Sequence, residues 1–309
     1  MSLKLLLAGA AACLLSTEAL AANAPCPGIS VAQLQNALRV AISETGNGGG
    51  LALGLNMWAT IVAADGVVCV VANSSGDPIQ GQWLAGRAMS AQLAFTAATL
   101  SLGPTPNSGS GTALADGKLA LSSANLFSAV NPGGFLYGLQ HSDPVAAAGA
   151  YGDRIGFGAY QSGFGGFSGG SSNTGNIIYS GPTNTAAYGT GADPMIGQVI
   201  GGISVFGGGL GLYTGGGVKV GGVGVGGDTP CAGHLVAWRV RKYLNLDHLR
   251  SVVGVGGAPD RPDNIVFDII PNPTGGTGVS PSGWGHPSCL GVSNAVAQAV
   301  ANTLPPVAP

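Results

Sequence analysis

Gly215-Gly-Gly-Val-Lys-Val-Gly-Gly-Val-Gly-Val-Gly-Gly227 runs without a gap into Asp228-Thr-Pro-Cys-Ala-Gly-His-Leu-Val-Ala-Trp-Arg-Val-Arg-Lys-Tyr-Leu244. Valine alternates with glycine in the first half, the two-residue period of a strand that another element approaches closely. Asp228-Thr-Pro then reads as a helix start, with Thr229 as N-cap and Pro230 at the first helical position. In the helix that follows, Leu235, Trp238 and Leu244 fall near one face, and Arg239, Arg241 and Lys242 largely off it. This strand, turn and helix anchor the reading of the chain.

The same stretch contains a literal G-x-G-x-x-G at Gly222, Gly224 and Gly227, with Asp247 about twenty residues on. A dinucleotide fingerprint needs both a helix and a second parallel strand before its acidic residue. Here a single helical pattern fills the interval and Asp247 stands at its end. With 56 glycines in 309 residues, chance matches to the motif are expected. The spacing does not make a cofactor site.

Outward from this unit, the N-terminal part reads as helices and a hairpin. Ser30-Val-Ala-Gln33 is a capping box for a helix to about Ser43, with Leu34, Leu38, Ala41 and Ile42 on its buried side. Residues 57–71 read as two strands about an Asp65-Gly66 turn. Gln82–Leu100 and Ser122–Val130 are further helices, Gly201–Tyr213 and Gly217–Gly226 two more strands, and Asn264–Ile270 a short one. Ser293–Leu304 closes the chain as a helix. The order α-β-β-α-α-loop-β-β-α predicts an α/β (α+β) domain over residues 22–309, an antiparallel sheet flanked by helices. Residues 141–200, with aromatics scattered among glycine and serine, read as a long glycine-rich insertion, and a Pro/Gly-rich tail follows the last long helix.

Charged residues make up 8% of the chain and its net charge is −2, so no basic field is available for nucleic acid or an anionic membrane. The 56 glycines and 19 prolines approach the range of disordered chains, but 45% hydrophobic residues are enough to bury a core. Lys4, the apolar run Leu5–Leu15 and Ala19-Leu20-Ala21 form a secretory signal over residues 1–21, too short to span a bilayer. The expected location is periplasmic or secreted, without membrane insertion. Cleavage leaves Cys26, Cys69, Cys231 and Cys289, which predict two disulfides with three pairings open. No close cysteine pair suggests zinc.

Several stretches carry a family resemblance: Gly86-Arg-Ala-Met-Ser-Ala-Gln92, Leu121-Ser-Ser-Ala-Asn-Leu-Phe-Ser-Ala-Val-Asn-Pro-Gly-Gly134, Leu136-Tyr-Gly-Leu-Gln140, Asp193-Pro-Met195, Val205-Phe-Gly-Gly-Gly-Leu210, Gly226–Arg241 and Asp260-Arg-Pro-Asp-Asn264. In this order they resemble the exported haem-binding family that includes HbpS and GlcG and is related to the C-terminal domain of PduO. The resemblance implies a profilin-like, GlcG-like antiparallel sheet with helices, homo-oligomers, and binding or slow breakdown of haem. Two departures stand out. Leu93 occupies the place where related sequences often have a lysine, and Cys231-Ala-Gly-His234 replaces Cys-Ala-Asp-His.

Haem requires an apolar slot, an axial ligand such as His, Met or Tyr, and a cation near its propionates. His234, in the first turn of its helix, is the first candidate, with His141 as a loop alternative and either one as iron ligand. Asp228 either caps the helix or orients His234; Arg87 faces a ligand carboxylate, Asp228 or solvent; Asn125 lines a pocket or a turn. His248 and His286 read as surface and tail residues. No nucleophile elbow and no converging carboxylate pair is present. The reading is an exported protein that binds haem or a similar planar apolar ligand. An enzyme acting at the same cleft, and a periplasmic sensor or partner protein, are the alternatives.

Overall fold

A computed structural model describes residues 26–79, 82–102, 119–139, 185–197 and 202–309. The signal segment 1–21, His141 and most of the insertion 141–200 lie outside the described residues.

The capping box forms as expected: the Ser30 side chain accepts from Gln33 N, and the Gln33 side chain accepts from Ser30 N. It starts α1 (Val31–Thr45), whose Leu34, Ala37, Leu38 and Ala41 are buried. β1 (Trp58–Ala63) and β2 (Val68–Asn73) pair antiparallel across the Asp65-Gly66 turn, where Gly66 takes φ 86°. α2 (Ala85–Leu100) follows. The two-residue strand β3 (Leu119–Ala120), a short 3-10 turn (Ser123–Asn125) and α3 (Leu126–Val130) come next. β4 (Gly209–Thr214) and β5 (Val218–Gly226) complete a four-stranded antiparallel sheet in the order β2-β1-β5-β4. Then come α4 (Pro230–Tyr243), the two-residue β6 (Val253–Gly254), parallel to β3, and α5 (Asn294–Ala301).

The valine-glycine alternation of β5 separates the two faces of this sheet. Val223 and Val225 join Leu34, Leu38, Leu235 and Trp238 in the main core, beneath α1 and α4. The glycines face α2 instead. A Cβ on Gly224 would lie 1.9 Å from the carbonyl oxygen of Ser90, and one on Gly222 2.3 Å from that of Ala94. The helix backbone thus rests directly on the strand, a distance only glycine permits. Leu93 is buried there against Gly208 and Gly209. The space beside Gly222 and Gly224 is filled by α2, so the G-x-G-x-x-G at Gly222–Gly227 offers no cradle for a phosphate. From β5, Lys219 donates to the carbonyls of Ala98 and Ser101, closing the C-terminal end of α2.

Cys26 pairs with Cys69 and Cys231 with Cys289, so each end of the described chain is tied to the core. No described helix is long and apolar enough to cross a membrane.

Three expectations are corrected. Gly201–Tyr213 contributes a strand only from Gly209 onward. Asn264–Ile270 is not a sheet strand and pairs only through an isolated bridge of Ile270 with Val279. Side chains take two of its backbone donors: Phe267 N–H goes to Gln298 Oε1 (2.8 Å) and Ile265 N–H to His234 Nε2 (3.1 Å). Arg241, placed off the buried face by helical period, is fully buried. Its guanidinium pairs with both oxygens of Asp263 (2.5 and 2.9 Å) and lies 4.6 Å from the Trp238 ring.

Candidate functional site

The helix start holds two of the candidates. Asp228 Oδ1 accepts from Leu53 N (2.9 Å) and Thr229 N (2.5 Å), and Oδ2 from Leu55 N (2.9 Å). Three backbone donors occupy the carboxylate, which fastens residues 53–55 to the turn. Thr229 caps α4 by accepting from Ala232 N (3.0 Å). One turn on, His234 is fully buried. Its Nε2 accepts from Ile265 N (3.1 Å) and lies 3.3 Å from Asn264 Oδ1. Nδ1 is buried with no hydrogen-bond partner. Burial, and secondarily the positive charge of Arg241, lower the pKa from 6.5 to about 3, so the ring is neutral.

Asn125 joins the same network. Its Oδ1 accepts from the backbone and hydroxyl of Ser122 (2.9 and 2.8 Å), and its Nδ2 donates to Asn264 O (2.9 Å). Asn264 also donates to Ala301 O (3.1 Å) and is fully buried. Asn264 thus connects His234, Asn125 and α5. It ends the stretch Asp260–Asn264, and because its partners are distant in sequence no local pattern marks it.

Arg87 stands apart. It pairs bidentately with Asp193, and its guanidinium lies 4.1 Å from the Tyr188 ring centre. Asp193 also accepts from Gly189 N (2.8 Å) and Met195 N (2.9 Å). This arrangement pins residues 185–197, the end of the glycine-rich insertion, onto α2. The carboxylate that Arg87 meets is that of Asp193, not Asp228.

His286, read as a tail residue, is buried among Phe127, Phe206 and Phe267. Nδ1–H donates to Pro287 O (2.7 Å) and Nε2 accepts from Gly207 N (3.2 Å); burial lowers its pKa to about 4. His248 lies 2.9 Å from Pro309 O through Nδ1 and 3.2 Å from Asn245 Oδ1 through Nε2. Among the described residues, no group of three or more His, Cys, Asp or Glu side chains could hold a metal ion.

The open volume lies elsewhere. A cavity of about 470 Å³ is lined by residues of the segment 250–262, including Arg250, Val252, Val253, Val255, Pro259 and Pro262. It forms where β6 pairs with β3 and the chain turns back, with Gly256 N donating to Pro262 O (2.7 Å) and Arg261 N to Ala258 O (2.9 Å). Arg250 is exposed and donates weakly to Val307 O (3.4 Å). Pattern reading missed this place, because a Pro/Gly-rich run with one arginine carries no periodic signal.

No family model and no curated protein matches the sequence. Two solved structures resemble the fold distantly. Klebsiella pneumoniae protein ORFY, of family DUF336, is 16% identical with a TM-score of 0.36, covering 70% of this chain and 90% of its own. A PduOC:haem complex is 16% identical with a TM-score of 0.36, covering 70% of this chain and 92% of its own. Both likenesses concern the general α/β arrangement and carry nothing about function.

Proposed function

We propose that this protein is an exported binding protein for haem or a similar planar apolar ligand bearing carboxylates. The observation that carries the reading is the cavity over residues 250–262. Its volume of about 470 Å³ falls within the range of about 300–1,000 Å³ of small-molecule sites. Valine, alanine and proline supply apolar walls, and Arg250 supplies a cation for a propionate. Arg250 is the one charged side chain among the described lining residues, and none of them is an Asp, Glu or His. The site therefore favours binding over acid–base catalysis.

The fit to haem itself divides. Slot and cation are present, whereas no described lining residue is a His, Met, Tyr or Cys. His234 retains an unpartnered Nδ1, but its ring is sealed in the core. From the described lining residues the porphyrin would gain apolar contact and a carboxylate partner. Iron coordination is proposed for His141, the loop candidate of the sequence. Export through the segment 1–21, supported by two disulfides, and assembly as a homo-oligomer belong to the same proposal.

Absorption titration of the mature protein with haem, and in parallel with metal-free protoporphyrin IX, tests the reading. Both are expected to saturate near one per chain. Val253→Trp, which fills the cavity, is expected to abolish binding of both, and His141→Ala to change the haem spectrum alone. Absence of saturable binding by either compound refutes the proposal.

A further inference from the structure

A second cleft, of about 140 Å³, lies between the turn after α3 and the loop 277–283. Asn131, Gly134, Thr277, Val279, Ser280 and Gly283 are among its lining, and no described lining residue carries a charge. The cleft is too small for a porphyrin and has room for a single ring.

Beside it stands an aromatic platform. Phe135 is 73% exposed, yet its ring is held on two sides. It lies tilted against Trp284, with centroids 5.6 Å apart and planes 32° apart. It also lies over Gly283, whose φ is +78° and where a Cβ would come within 2.4 Å of the phenyl ring. Any other residue at position 283 would displace the ring. A large solvent-facing aromatic beside a cleft presents apolar contact area to a ligand.

The opposite wall is equally fixed. Asp268 accepts from Ser280 Oγ (2.6 Å) and Ser282 N (2.9 Å), while Ser280 Oγ accepts from Gly283 N and Gly285 N (3.0 Å each). Ser128 Oγ donates to Gly285 O (2.7 Å), joining the two walls. Asn131 Nδ2 donates to Phe127 O (2.8 Å). That leaves Asn131 Oδ1 and the exposed Thr277 hydroxyl without a bond among the described residues.

We infer that this cleft binds one ring of a neutral saccharide. A pyranose has an apolar C–H face and a rim of hydroxyls. The Phe135–Trp284 platform suits the face, and Asn131 Oδ1, the Thr277 hydroxyl and loop backbone suit the rim. The absence of charge from the described lining disfavours phosphorylated or acidic sugars, because a desolvated anion would lack a partner. The inference is independent of the porphyrin cavity.

Saturation-transfer NMR on the mature chain with glucose, cellobiose and chitobiose, alongside glucose 6-phosphate, tests it. Saturation is expected on the C–H protons of one ring face of a neutral sugar, with binding lost by about tenfold in Phe135→Ala. A several-fold loss is expected in Asn131→Leu. Phe135 is exposed, so thermal unfolding of Phe135→Ala should match the parent and show that the fold is intact. Transfer to none of the neutral sugars at tens of millimolar, binding unaffected by Phe135→Ala, or preference for the phosphate ester would each overturn it.

Discussion

The His234–Asn264–Asn125 network and the Arg250 cavity are both polar features built with the C-terminal tail, and they differ in whether their groups are spent. In the first, nearly every donor and acceptor has a protein partner and the side chains are closed off from solvent. In the second, an exposed guanidinium keeps most of its donors beside an apolar hollow. Buried polar groups that satisfy one another hold the tail in place. Unspent ones beside apolar walls are available to a ligand. A histidine on a conspicuous motif is thus closed off by its neighbours, while an arginine in a Pro/Gly-rich loop stays exposed.

The contrast can be broken most sharply at Asp263. Asp263→Ala leaves Arg241 charged and buried without its partner, and urea unfolding should show a loss of about 3–5 kcal/mol. A loss below about 1 kcal/mol would mean that the core opens to water there. Next comes Gly224→Ala, where the added methyl meets the Ser90 carbonyl. Destabilisation toward the upper end of about 1–3 kcal/mol is expected, with porphyrin binding retained by the molecules that stay folded.

Acidification tests the sealed network without mutation. His234 and His286 have folded pKa values of about 3 and about 4, below the ordinary 6.5. The unfolded chain therefore takes up protons first as pH falls. The stability contributed by the neutral rings is fully present above about pH 6.5 and is lost progressively down to pH 4 and then 3. Between pH 6.5 and 5.5 the two histidines together should cost about 2 kcal/mol in urea unfolding, and His286→Phe should remove its share of the slope. A flat profile would show that the rings already have access to solvent. The smallest stability effect belongs to Arg250→Ala, within about 0.5 kcal/mol, accompanied by a several-fold loss of porphyrin affinity. The reverse pattern, large destabilisation with affinity unchanged, would make Arg250 structural too.

Local signals carried much of the fold. The Ser30–Gln33 box, the Asp65-Gly66 hairpin and Thr229-Pro230 each work through neighbours a few residues away, so their outcome could be read directly. Arg87 and Arg241 could not be placed this way. Their partners, Asp193 and Asp263, are 106 and 22 residues distant, and an arginine's helical position does not reveal whether a carboxylate meets it inside the core. The same limit hid Asn264 and the burial of His286.

By itself the sequence determined an antiparallel α/β sheet, the positions of its main helices, four cysteines beyond residue 21 suited to two disulfides, and the close helix approach implied by the glycines of β5. Periodicity, capping and turn chemistry are short-range, and they suffice for these. The tertiary structure alone decided the disulfide pairing, the side of β5 that receives α2, the sealing of His234, and the location of the hollow beside Arg250. These depend on which distant groups meet and how much water is excluded when they do, and no local pattern encodes either.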